Sequence, residues 1–239
     1  MYKEREYRRW VKGDDLITFE VKEAETDLLI SATKDLGKTA RESVLNYRED
    51  IQGYIKKDKS FCTSLEPVDA AKNAPPIIKV MALAGRQAGV GPMAAIAGAI
   101  AEFVGRDLLK FSEEVIVENG GDIFIKTKKT RYIGVYAGEA SPFKDKITLE
   151  IEPSEKGAGV CTSSGTVSHS LSFGKADAAL IISEDAALAD AVATATGNIV
   201  KNKDFIEKGI NFARSIDGIK GVLILVQDKM GSWGDINIV

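Results

Sequence analysis

Residues 157–198 read GAGVCTSSGTVSHSLSFGKADAALIISEDAALADAVATATGN, and the order of residue types in this stretch decides the fold. It begins with a small-residue, hydroxyl-rich run, residues 157–174, which reads as a loop and holds the chain's only histidine, His169. Residues 178–183 are a short apolar segment of strand length. A helix is expected to open near Asp185 and run to about Thr196. Asp190 and Thr194 lie four apart, so a carboxylate and a hydroxyl leave the same helix face. The alanines around them let another segment or a ligand come close. Hard cations such as Mg²⁺ prefer oxygen ligands of this kind, often shared with phosphate. An Asp followed by a Thr one helical turn later is also common on helices that bind nothing, so the pair alone leaves both readings open.

The bulk composition narrows the rest. The chain has 239 residues, 44% hydrophobic and 28% charged, enough to bury a real core as one domain or as two intimately packed lobes. Its formal net charge is -3 and its sequence pI is about 5.5. Lys and Arg are dispersed rather than gathered on one face, which speaks against a nucleic-acid surface. Cys62 and Cys161 sit in different regions, neither in a CxxC pair. The opening MYKEREYRRW has no apolar signal core, so a cytoplasmic protein with two free thiols is expected. Residues 87–101 carry no charge, yet at 15 residues they are short of the ~20 that a bilayer helix needs. The expectation is a buried helix and no membrane association.

Outward from the centre, the pattern is mixed. Residues 1–12 read as a basic edge strand or arm. Residues 16–21 and 28–32 read as an antiparallel pair, and residues 35–57 as an amphipathic helix. Phe61 and Cys62 read as core contacts. Residues 77–85 begin a second helix. Residues 93–109 form a third, with Ala97, Gly98 and Gly105 among the small residues that permit close approach. Residues 114–118, 123–125, 132–136 and 147–151 suggest a four-stranded antiparallel meander. Its first turn is Asn119-Gly120-Gly121-Asp122, where adjacent glycines allow positive φ and let a ligand lie against backbone N–H groups. A plain β-turn explains the same residues. Residues 126–131 read as a basic, solvent-facing turn. A helix at 204–213, a strand at 219–226, a turn at 228–234 and a possible last strand at 236–239 complete the chain. The βαβ rhythm is absent, which favours α+β over a doubly wound sheet. An edge strand at either terminus can pair with its own copy, so a homodimer is the expected assembly.

Four segments then resemble one family in their order along residues 90–200. Ala189-Asp190-Ala191-Val192-Ala193-Thr194-Ala195 resembles the ADALxTA segment of the ApbE family, the magnesium-dependent FAD:protein FMN transferases. Glu118-Asn119-Gly120-Gly121-Asp122-Ile123 resembles that family's strand ending in GGDI, and Ile96-Ala97 its IAKG helix. Ser164-Gly165, and Ser168-His169 with Leu171, resemble its histidine loop. The chain looks most like the shorter UPF0280 branch of that superfamily. The resemblance implies an α+β, ApbE-like (T-fold-related) arrangement of antiparallel sheets packed with helices, in a single domain spanning residues 1–239. It implies Mg²⁺ on Asp190, Thr194 and the backbone oxygen of Ala97, against the pyrophosphate of FAD. It places His169 near the reacting phosphate as the catalytic group and Gly120 and Gly121 beside the cofactor. Gly98 and Ala99 stand where the family has Lys-Gly, and Phe103 stands at the step of an acid further along that helix.

The expected chemistry is therefore metal-dependent work on a flavin or nucleotide pyrophosphate. An acceptor-protein hydroxyl or water would attack phosphorus and AMP would leave, with His169 moving the proton. Thr162, Ser163, Ser164, Gly165 and Thr166 would bind phosphate oxygens through hydroxyls and loop N–H groups. The alternative is a non-catalytic module that binds a flavin, nucleotide or other phosphorylated small ligand. A third reading, Ser164 or Cys161 as a nucleophile beside His169, lacks a third member.

Overall fold

The computed structural model describes residues 15–138, 141–144, 146–165, 174 and 176–239. The basic arm expected over residues 1–12, together with Thr166 and His169, lies outside them. In chain order the elements are β1 (Ile17–Glu23), β2 (Thr26–Ala32), α1 (Gly37–Lys57), the one-turn α2 (Ser60–Thr63) and α3 (Pro76–Ala88). A 3-10 turn (Pro92–Ala95) then runs into α4 (Ile96–Leu108), followed by β3 (Val115–Asn119), β4 (Asp122–Lys126), β5 (Arg131–Gly134) and β6 (Thr148–Ile151). Last come β7 (Ala158–Ser163), β8 (Ala178–Ser183), α5 (Ala186–Ile199), a 3-10 turn (Lys203–Phe205), α6 (Ile206–Arg214), β9 (Ile219–Val226), β10 (Lys229–Gly234) and β11 (Asn237–Ile238).

A strand covered on both faces is apolar at every position instead of alternating. That explains β8, buried along its whole length, and most of β9. Both belong to an eight-stranded sheet of order β1-β2-β3-β4-β7-β8-β9-β10, antiparallel throughout. On one face, Val222 and Ile224 of β9 join Leu28, Val117, Phe124 and Ile181 in a core shared with the helices. On the other, Leu223 and Leu225 pack with Ile123, Val160 and Leu180 against Ile133, Leu149 and Ile151 of a smaller sheet. That sheet has the order β11-β6-β5. The result is a helix layer, a large sheet and a small sheet, an α+β architecture as the sequence predicts. Among the described residues no single helix is long and apolar enough to cross a membrane. α3 and Pro92–Leu108 reach that length and composition only as a pair bent by 107°.

Several expectations need correction. The four-strand meander over 114–151 is split: β3 and β4 stay in the large sheet, and β5 and β6 leave it to form the small one with β11. The small-residue run is not a loop at its start. Ala158–Ser163 is an interior strand, and its small residues are there for packing: a Cβ on Gly159 would sit 2.3 Å from Ala186 Cα. Residues 229–234, expected as a turn, form the edge strand β10. The single helix at 93–109 begins as a 3-10 turn. The turn at 126–131 is not simply solvent-facing. Arg131 is buried and reaches Asp15 at 2.6 Å and Glu114 at 2.9 Å, which ties β5 to the large sheet. Phe61 is core, but its neighbour Cys62 is exposed.

Candidate functional site

α4 and α5 are rich in small residues for one reason: they touch. A Cβ on Gly98 would lie 2.2 Å from Ala186 O and 2.9 Å from Asp190 Cβ. At that distance each helix reaches the other's first turn. α4 has no side-chain cap of its own, which leaves orphan N–H groups. Asp190, midway along α5, supplies the partner: its Oδ2 accepts from Gly98 N–H at 2.9 Å, and Ala97 N–H also bonds the carboxylate. The favour is returned. Glu102 of α4 accepts from Ala186 N–H, the first of α5, at 2.7 Å. Asp185 completes that end by accepting from Leu188 N–H at 2.9 Å. The two helices thus cap each other with buried carboxylates placed where an N-terminal dipole favours negative charge.

Around Asp190 the sheet brings further polar groups. Asn119, at the end of β3, donates from Nδ2 to Ala97 O at 3.1 Å. Asp122, at the start of β4, pairs in register with Cys161 of β7. The Cys161 thiol donates to Ala186 O at 3.3 Å, so β4, β7 and the face of α5 bearing Ala186 and Asp190 meet at one point. Thr162 N–H and the Cys161 side chain approach the Asp122 carboxylate, yet its Oδ1 is buried with no hydrogen-bond partner among the described residues. Desolvation first, and the Asp190 charge second, push the Asp122 pKa well above the usual carboxylate range. Burial lifts Asp190 to about 7, opposed by the two α4 N–H groups. Burial, with Asp122 and Asp190 beside it, also raises the Cys161 thiol, the opposite of what a nucleophilic cysteine needs. Cys161 is therefore a buried packing thiol, and the nucleophile reading is set aside for it.

The other anticipated residues divide. Thr194 lies one turn beyond Asp190 and is half-buried. Gly120 and Gly121, with φ of 69° and 107°, form the two-residue hairpin turn between β3 and β4. Gly121 N–H is held by Glu118 Oε1 at 2.8 Å, so the turn geometry itself accounts for both glycines. Thr162 and Ser163 are on β7, and Ser163 and Ser164 are buried. Gly165 N–H bonds Ala176 O at 3.0 Å, and Gly174 sits where a Cβ would be 1.7 Å from Gly197 O. Gly165 thus meets the lead-in to β8, and Gly174 meets the C-terminal end of α5. Sequence reasoning missed Glu102. It sits one residue before Phe103, directly after the uncharged run 87–101, and a carboxylate at the end of that run was the available signal.

Whether a hard cation fits can be asked of these atoms. Among the described residues no three His, Cys, Asp or Glu side chains are grouped to hold a metal by themselves. Mg²⁺ does not require such a cage, since it is usually held by one or two carboxylates with water and phosphate oxygens. Asp190, the orphaned Asp122 Oδ1 and the carbonyl of Ala97 are all oxygens, and the described residues pair no lysine or arginine with either aspartate. The donor set fits a hard divalent ion.

Comparison with known proteins gives the fold an independent footing. Residues 8–217 match a family model described as AbpE bacteria. A UPF0280 protein of Methanocaldococcus jannaschii is 42% identical over 222 residues, covering 89% of this chain and 88% of its own. One from Methanosarcina acetivorans is 40% identical over 201 residues, covering 83% and 79%. Among solved structures, the flavin transferase ApbE from Vibrio cholerae superimposes with a TM-score of 0.58 at 15% identity, covering 92% of this chain and 97% of that one. The Pseudomonas stutzeri flavinyl transferase ApbE, in its apo form, gives 0.55 at 14%, covering 92% and 94%. At such identities the likeness is one of fold.

Proposed function

The chain belongs to the UPF0280 family and has the ApbE fold, and from that premise we propose that it binds a hard divalent cation together with a pyrophosphate-bearing small molecule between α4, α5 and the end of β7. One observation carries the reading: Asp190 is a buried carboxylate with no counter-charge among the described residues. Buried charges are normally paired. Asp190 and Thr194, with the Ala97 carbonyl, would hold the ion. When bound, it would supply positive charge to a pyrophosphate whose negative charge grows as a P–O bond breaks. The protein's own groups would do the rest. The Gly98 and Ala97 N–H groups fix the Asp190 carboxylate on one side and leave its orientation set before any ligand arrives. Thr162, Ser163, Ser164 and Thr166 would offer hydroxyls to phosphate oxygens, and His169 would take or give the proton.

In its enzymatic form the reading is transfer of FMN from FAD to a protein hydroxyl, or hydrolysis of FAD, with AMP released. The structural neighbours are named as flavin transferases, and that name supports this form. A second form, binding without turnover, is favoured by Gly98 standing where the family has lysine and by Gly121 N–H being engaged by Glu118. AMP release from FAD, measured with and without Mg²⁺, separates them. The enzymatic form expects Mg²⁺-dependent release that Asp190→Asn abolishes. Release that is untouched by Asp190→Asn removes the metal role, and no release from FAD despite retained flavin binding selects the binding form.

A further inference from the structure

We propose that Asp122 is a second carboxylate ligand of the cation held by Asp190, so that the ion sits between β4 and α5. The inference rests on the cation reading above and extends it to a residue on a different element. Two contacts and one helical turn bring Asp122 to Asp190. Asp122 pairs with Cys161, Cys161 donates to Ala186 O, and Ala186 lies one helical turn before Asp190 on α5. Gly98, flanked by Ala186 O and Asp190 Cβ, closes the same space from α4. Asp122 is 9% exposed, and its Oδ1 meets no donor among the described residues. The great majority of buried polar side-chain atoms have a partner, and an unmet one costs about 1–3 kcal/mol, more if charged. A carboxylate is not needed there for the turn, because Gly120 and Gly121 carry the positive φ. A buried second acid facing an unpaired first acid is unfavourable for the empty fold and useful for a divalent ion. Two carboxylates and a carbonyl leave the remaining positions of a magnesium-like ion to water and to the phosphate oxygens of a ligand.

Mn²⁺, added alone and in the presence of ADP, is the probe, read by the free-ion electron paramagnetic resonance signal and by titration calorimetry. Wild type, Asp122→Asn, Asp122→Ser and Asp190→Asn are compared, each first checked for a cooperative thermal melt; the serine variant keeps the test alive should the amide fail to fold. Second-sphere groups already tune metal affinity by roughly 10–100-fold, so loss of a direct ligand should weaken Mn²⁺ binding by at least about tenfold in both Asp122 variants. Wild-type affinity in a folded Asp122 variant, with affinity lost in Asp190→Asn, overturns the role of Asp122 and leaves the Asp190 site standing. No Mn²⁺ binding by wild type, with or without ADP, overturns both.

Discussion

The two ends of the α4–α5 contact do the same structural work with different charge balance. At one end Glu102 caps α5 and is itself met by Arg106, whose Nε and terminal nitrogen lie at 2.8 and 2.6 Å while the guanidinium rests over the Phe124 ring. At the other end Asp190 caps α4, and its charge acts on another buried acid, Asp122. Burial raises both carboxylates, but only Glu102 has an arginine opposing the shift. The comparison separates a finished contact from an unfinished one. Carboxylate capping alone cannot explain Asp190, because an asparagine or serine would cap α4 without burying a second charge. What the described residues at the Asp190 end lack is positive charge.

The largest expected effect breaks the symmetry by pH. Burial raises the folded-state pKa of Asp190 to about 7, above the ordinary aspartate value of 3.8. The folded state therefore holds a proton that the unfolded chain gives up. Without divalent cation, stability should fall as pH rises from about 4 to about 7, by a total on the order of 4 kcal/mol. Denaturant melts across that range measure it. Asp190→Asn should lessen the slope, leaving the part that the raised Asp122 and Glu102 carboxyls contribute, and saturating Mg²⁺, which favours the ionised form, should lessen it in the wild type.

Next in size is Gly98→Ala. The added methyl would meet Ala186 O at 2.2 Å and force the helices apart, loosening both caps. A loss of about 3 kcal/mol is expected, at the upper end for overpacking. Glu102→Gln should cost about 2 kcal/mol, since Arg106 is half-exposed and can recover solvation. That loss should be the same with and without divalent cation, in contrast to Asp190→Asn. Thr194→Val should be smallest in stability, within about 0.5 kcal/mol, as for most changes outside the core. It should still shrink the rise in melting temperature that Mg²⁺ gives.

Much of this was legible in residue order, for reasons that the misses clarify. β8, β9 and α5 were read correctly because their apolar runs and small-residue face are determined locally. Ala158–Ser163 looks like loop in the sequence because glycine, serine and threonine usually mark turns, whereas here they are small so that α5 can lie on the strand. That requirement belongs to a partner 25 residues away in sequence, since Cys161 meets Ala186, and no local pattern carries it. The departure of β5 and β6 into a second sheet is equally non-local: it depends on β11 at the far end of the chain. Asp190 stood out by spacing and resemblance. Its task in capping α4, and the matching task of Glu102, appear only when both helices are in place. In the sequence Asp122 is only the last residue of a turn motif, and its significance lies in burial, which a sequence does not display.

Crystals grown with Mn²⁺ test the central claim most directly, through an anomalous difference map at the manganese edge. The account predicts a peak within about 2.0–2.2 Å of the Asp190 carboxylate, on the side facing Asp122. An ordered Asp190 bonded to Gly98 with no peak beside it, at a manganese concentration that saturates binding in solution, would contradict it.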